Sequence, residues 1–152
     1  MNLDVALVRH GQLYAVLPGL IEYLKKSEKW SRGRASVDDI IAFLYSKRMF
    51  LLLIHDVETL QPYGYVIAET TQYPQSKILT VQYCAIEPHT YTFIIEKMTT
   101  ALDVAAKSLD CQGIEFNGRP GWDKLMKRFG YNAKSVIYEK YFGDDNGTGQ
   151  LS

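Results

Sequence analysis

Residues 89–110 constrain this chain more than any other stretch. Tyr91, Ile95, Met98, Leu102, Ala105 and Leu109 recur at spacings of 4-3-4-3-4, which lays one apolar face along about five helical turns. A helix of that length needs an apolar surface to cover, and the runs around it read as strands of a sheet. Leu3 to Val8 and "MFLLLIHDV" (49–57) are two of them. "YVIAETTQY" (65–73) reads as the returning strand of a hairpin, after the long turn "LQPYGY", and "KILTVQYCAIEP" follows Pro74 as a further strand. Beyond the long helix, "CQGIEF" and "SVIYEKYF" are extended patterns separated by a short helix, "GWDKLMKRFG", that Gly130 closes.

The segment between the first two strands is helical. Leu13, Val16, Leu17, Leu20 and Leu24 keep helical spacing, with Pro18 marking a start or kink. "KSEKWSRGRAS" is polar and broken by glycine, which predicts a loop. Ser36, with Asp39 three residues on, caps a second helix whose stripe is Val37, Ile40, Ile41 and Leu44. The expected order is β-α-α-β-β-β-α-β-α-β, one domain over 1–142. "GDDNGTGQLS" (143–152) has no apolar residue to anchor it before Leu151 and reads as a loose tail.

Composition narrows the function classes. In 152 residues, 17 Lys and Arg balance 17 Asp and Glu, so no overall positive field draws the chain to nucleic acid or to a membrane surface. No apolar run approaches the roughly 20 residues of a membrane span. Arg9 and Asp4 in the N-terminal stretch do not suit a signal peptide. Cys84 and Cys111 have no CxxC spacing; the expectation is buried free thiols, no metal, and a cytoplasmic setting.

"LVRHGQ" (7–12) resembles the opening of histidine phosphatases and phosphoglycerate mutases, in which a strand ends in Arg-His-Gly. Such a site needs a second histidine well into the C-terminal half of a doubly wound domain. Here the later histidines are His55, too early and followed by antiparallel-looking strands, and His89. A tripeptide alone is a weak motif. His10 is therefore expected to be a structural histidine at a strand end.

The element order resembles a different family along nearly the whole chain, the GNAT (GCN5-related N-acetyltransferase) proteins. The closest local likeness is "IEFNGRPGWDKLMKRFGYNAKSVIYEK", in which Leu125, Gly130 and Tyr131 match the family's Leu-x-x-x-x-Gly-aromatic ending. "NGRPGW" followed by "FGY" is most similar to degenerate GNAT-like proteins of tailed bacteriophages. The resemblance implies an α+β, three-layer fold: a mostly antiparallel twisted sheet of about six to seven strands, splayed between strands four and five, with about four flanking helices. It also implies a cleft for acetyl-coenzyme A. The residues expected to line it, if the cofactor is retained, are Cys84, Ala85, Ile86, His89, Thr90, Tyr91, Thr92 and Asn117.

The chemistry expected of an active member is thin here. The family's turn after strand four is rich in glycine, so that bare backbone N–H groups close on a pyrophosphate. In "IEPHTYTFIIEKM" there is no glycine, and no Arg or Lys precedes Lys97. Glu87 sets a negative charge near the helix start, which suits the helix dipole but repels phosphate. The tyrosine that often serves as general acid is replaced by Met126. Glu69, Glu87 and Glu115 are weak candidates for a general base, since carboxylates near strands are commonly edge or surface charges.

These departures lead to the expectation of a GNAT scaffold without acetyl transfer, binding a virion or host protein; the alternative is a divergent acetyl-coenzyme A-dependent N-acetyltransferase. Trp30, Arg32 and Arg34, on the side where the family admits acceptors, suit a phosphate, a carboxylate or a protein anchor. Arg119 and Trp122 lie beside the implied cofactor cleft, though "GRPG" also suits a plain tight turn. The last strand offers an edge on which a partner chain can add.

Overall fold

The structure, a computed structural model, describes residues 2–118 and 122–143, with Tyr91 and Thr92 described through their backbone. The expected tail beyond Gly143 and the Arg119 position lie outside the described residues. Five strands form one sheet in the order β1 (Leu3–Leu7), β2 (Phe50–Asp56), β3 (Pro62–Gln72), β4 (Lys77–Ile86) and β5 (Gly113–Phe116). The first four pair antiparallel, and β5 pairs parallel to β4. Helices α1 (Leu13–Val16), α2 (Ile21–Trp30) and α3 (Val37–Tyr45) lie between β1 and β2, α4 (Tyr91–Ser108) joins β4 to β5, and α5 (Asp123–Lys127) follows β5.

Each face of the sheet has its own core. Leu52, Ile54, Val66, Ala68, Leu79 and Val81 pack under Ile94, Ile95, Met98 and Leu102 of α4. Leu51, Tyr65, Ile67 and Ala85 pack under Leu20, Leu24, Ile40 and Leu44 from the α1–α3 segment. The run 65–68 is buried at every residue because helices cover both faces, so neighbouring side chains enter opposite cores. Lys97 bonds the Leu3 carbonyl at 2.8 Å through its ammonium and ties α4 to the first strand.

The long helix forms where the apolar spacing predicts it, and the chain is broken at Pro18. Leu17–Leu20 tightens into a 3₁₀ turn between α1 and α2, since Pro18 has no N–H for an α-helical bond. Helix α2 runs on to Trp30, so the loop expected from "KSEKWSRGRAS" shortens to its second half. Lys25 and Lys26 are good helix formers, and the Leu20 and Leu24 stripe holds them helical. Ser36 caps α3: its Oγ accepts from the Asp39 N–H at 3.1 Å, and the Asp39 carboxylate accepts from the Ser36 N–H at 3.0 Å. Ser36→Ala is expected to lower stability by about 1 kcal/mol in urea titration, while Ser36→Asp holds it near wild type.

The sheet is smaller than the resemblance implies. The described residues form five strands, and "SVIYEKYF" is not one of them: no backbone hydrogen bond joins 135–142 to another described residue. A strand pattern becomes a strand only when a neighbour completes its ladder, and none does here.

Candidate functional site

The end of β4 and the start of α4 are the region in which the resemblance expects a cofactor. In the β3 ladder Ile67 pairs with Tyr83 and Ala68 with Val81, so Gln82 is an extra, unpaired residue on β4. This bulge turns Tyr83 toward α3 and leaves Val81 toward α4. The β4–β5 ladder covers Ile78–Val81 and stops beside the bulge, while β4 runs on to Ile86. The two strands therefore part at Gln82, and the side of β4 toward β5 is open from there to Ile86 among the described residues.

That opening leads to a turn built around Glu87. The Glu87 N–H bonds the Tyr63 carbonyl at 2.7 Å, and the buried Thr90 hydroxyl bonds the Glu87 carbonyl at 2.6 Å. The Tyr23 hydroxyl of α2 donates to the Glu87 carboxylate at 2.8 Å. Burial and then this carboxylate push the Tyr23 phenol up to about 12. Thr90 occupies the cap of α4, but its side chain accepts no capping bond. His89 takes a positive φ of 74° and is exposed, and Pro88 has no N–H to offer.

Acetyl-coenzyme A fits one part of this site and not the other. The open β4 edge, with Cys84, Ala85 and Ile86, suits an extended apolar arm. The helix start does not suit a pyrophosphate. It has no Arg or Lys before Lys97, its residues carry Cβ atoms where glycines leave room, and Lys97 is bonded to the Leu3 carbonyl instead.

The three candidate bases do not converge. Glu69 meets Arg48 at 3.6 Å, and its other carboxylate oxygen is buried without a hydrogen-bond partner. Arg48 also lies over the Phe43 ring, 4.6 Å from its centre. Burial raises the nearby Tyr83 phenol; Arg48 opposes that rise and Glu69 adds to it. Glu115 accepts from Tyr73 at 2.9 Å and from Thr80 at 3.4 Å across the far end of the sheet. Met126 is buried in the α4 core, so the usual general-acid position holds an inert thioether.

The remaining candidates fall into two places. Arg32 and Arg34 each reach the same Glu139 oxygen at 2.8 Å, and Arg34 lies 3.4 Å from the Tyr141 hydroxyl. Their charges are thus engaged within the chain, with Trp30 half exposed beside them at the end of α2. Trp122 packs edge-on against Phe116 at 6.3 Å, at the rim of the core, and Asn117 is exposed after β5. No reading of the sequence linked Tyr23 to Glu87 or Glu139 to the arginines, since neither pair lies within a local motif.

Two of the three histidines bond main-chain carbonyls. A His10 ring nitrogen bonds the Tyr45 carbonyl at the end of α3 at 2.9 Å, and His55 bonds the Asp56 carbonyl at 3.0 Å. Arg9, His10 and His55 form no common phosphate site. Cys84 and Cys111 are thiols rather than a disulfide, and both are half-buried, less covered than expected. Among the described residues no three His, Cys, Asp or Glu side chains group to hold a metal, and no helix is long and apolar enough to cross a membrane.

No protein-family model matches the chain, and no curated protein matches it by sequence. Solved structures do. An aminoglycoside acetyltransferase from an uncultured soil metagenomic sample superposes with a TM-score of 0.71 at 14% identity, covering 94% of this chain and 100% of that one. A ribosomal-protein-alanine N-acetyltransferase from Brucella melitensis gives 0.67 at 19% identity, over 93% and 99% of the two chains. Glucosamine-6-phosphate N-acetyltransferase from Arabidopsis thaliana gives 0.63 at 10% identity, over 93% and 99%. At such identities the likeness speaks for architecture, and with the parted β4 and β5 it shows that this chain has the fold of the GCN5-related N-acetyltransferases.

Proposed function

We propose that this GNAT-fold chain serves as a binding or structural protein and has lost acetyl transfer. The observation that carries this reading is the turn 87–90 before α4, which has no glycine, no Arg or Lys and no N–H at Pro88, and whose one carboxylate, Glu87, is bonded to Tyr23 of α2. Buried Met126 in the general-acid position agrees with it. The partner we propose is a protein, and the likeness of "NGRPGW…FGY" to phage-borne GNAT-like chains points to a virion or host protein. A second reading, a divergent acetyl-coenzyme A-dependent N-acetyltransferase, draws on the open edge of β4 beyond Val81. Calorimetric titration with acetyl-coenzyme A and with coenzyme A separates the two. The expected result is no saturable heat at millimolar ligand from protein whose folding is verified by circular dichroism. Saturable micromolar binding of either ligand overturns the first reading in favour of the second.

A further inference from the structure

The loop between α2 and α3 sets two guanidinium groups against one carboxylate. Arg32 and Arg34 each meet the same Glu139 oxygen at 2.8 Å, so two positive charges face one negative charge. The loop backbone is fixed by its own bonds. The Ser31 hydroxyl donates to the Glu28 carbonyl at 2.7 Å and accepts from the Ala35 N–H at 3.2 Å, and the Ser31 carbonyl accepts from the Arg34 N–H at 3.2 Å. Between the arginines the chain is left-handed, with φ of 59° at Arg32 and 79° at Gly33. That conformation costs a residue with a Cβ free energy, and Arg32 keeps it while its side chain reaches Glu139. Glu28, the other carboxylate tied to this loop, accepts from the Val37 N–H at 2.6 Å. Both guanidinium groups stay open to solutes, with side chains 44% and 51% exposed. Their present occupant is loosely held: Glu139 comes from 135–142, which no backbone hydrogen bond joins to another described residue.

We infer that the Arg32–Arg34 fork is a binding site for a phosphoryl group, as a phosphate ion or a phosphate monoester, and that Glu139 occupies it as an internal stand-in. A phosphoryl group carries about two negative charges at neutral pH and several acceptor oxygens, against the single charge of a carboxylate. Guanidinium groups match such oxygens with paired N–H donors, so a phosphate engages both arginines more fully than one shared Glu139 oxygen does. Exchange of Glu139 for phosphate balances the charge of the pair and frees 135–142 from the loop. The site is separate from the turn at the start of α4. Tyr23, in the first turn of α2, meets Glu87 there, whereas Arg32 lies nine residues further on, roughly 13 Å along the helix axis. The inference therefore goes beyond the reading of the coenzyme A region and does not depend on it.

Calorimetric titration of the full chain with sodium phosphate, at constant ionic strength, separates binding from screening. Saturable binding is expected, and Glu139→Gln is expected to tighten it about tenfold by emptying the fork. Glu58→Gln, the same charge change in the turn between β2 and β3, is expected to leave it unchanged. Arg32→Gly removes one guanidinium and suits a φ of 59°, so the loop keeps its shape, and binding is expected to weaken about tenfold or more. Amide exchange within 135–142 is expected to quicken when the wild type is saturated with phosphate, and to be as quick in Glu139→Gln without it. A phosphoserine peptide in a second arm identifies the source: tighter binding than the ion assigns the site to a protein-borne phosphate, equal binding to a free one. No saturable binding by either the wild type or Glu139→Gln overturns the inference. So does an affinity that Arg32→Gly leaves unchanged, or one that is the same with and without the Glu139 carboxylate.

Discussion

Gly64→Ala is expected to give one of the largest losses of stability available to a single added methyl group in this protein. Gly64 lies on β3 opposite Ile86, with φ at +154°, a backbone conformation that residues with a Cβ rarely adopt. A Cβ there would meet the Ala85 carbonyl oxygen at 2.4 Å and the Ile86 Cα at 2.8 Å. Both are main-chain atoms of the neighbouring strand, so no side chain can swing aside to relieve the clash. Overpacking and the strained φ each cost about 1–3 kcal/mol, and together they are expected to lower Tm by about 10 °C. The loss also falls at the site, because the next strand residues lead into the Glu87 turn, whose N–H is bonded to Tyr63. Gly130→Ala is the matched control. It has a φ of +89° but nothing within 4 Å of the added atom, so it isolates the backbone cost at about 1 kcal/mol. Equal melting shifts for the two variants would show that β3 and β4 do not approach as described.

Tyr65→Phe is expected to cost about 1–3 kcal/mol, although it removes a single oxygen. Tyr65 is fully buried, and its hydroxyl donates to that of Ser27, itself buried on α2. Without the phenol, the serine is left in the core with a lost partner, and Ser27→Ala leaves the phenol in the same state. The double variant is expected to lose less than the sum of the single losses, since both deletions remove the same bond. Alkaline titration reads the same burial. Desolvation pushes Tyr65 well above its ordinary value of 10.0, and burial raises Tyr23 and Tyr131 to about 12. The folded state holds these protons more tightly than the unfolded chain does. Stability is therefore insensitive to these groups below about pH 10 and falls as pH rises from there through the folded values. Melting temperatures between pH 8 and pH 11 should show the decline, and Tyr65→Phe should make it shallower. A wild type whose Tm is flat to pH 11 would mean that these phenols are not buried in the folded protein.

The parts of the fold that could be read along the chain are those whose cause is local. The α4 stripe, the Ser36–Asp39 capping box and the break at Pro18 each depend on residues within a turn or two of one another. The double burial of 65–68 was not read along the chain, because it depends on helices that cover both faces of the sheet. The site was legible only through what is missing from it, glycines and cations after β4. The loop expected around Trp30 shortened, since packing of Leu24 against the sheet outweighs the polar composition beside it.

Taken alone, the sequence determined the order and kind of the elements as far as α5, the apolar stripes of the helices, and the absence of a glycine-rich turn at the helix start. Those features follow from periodicity and residue type, which act over a few residues. Tertiary structure alone decided that Gln82 bulges and lets β4 and β5 part, since a bulge depends on the register of a neighbouring strand. It also brought Tyr23 to Glu87 and Glu139 to Arg32 and Arg34, pairs separated by 64 residues or more. And it left "SVIYEKYF" without a ladder, because a strand pattern specifies an alternation of side chains but not the backbone that completes its hydrogen bonds.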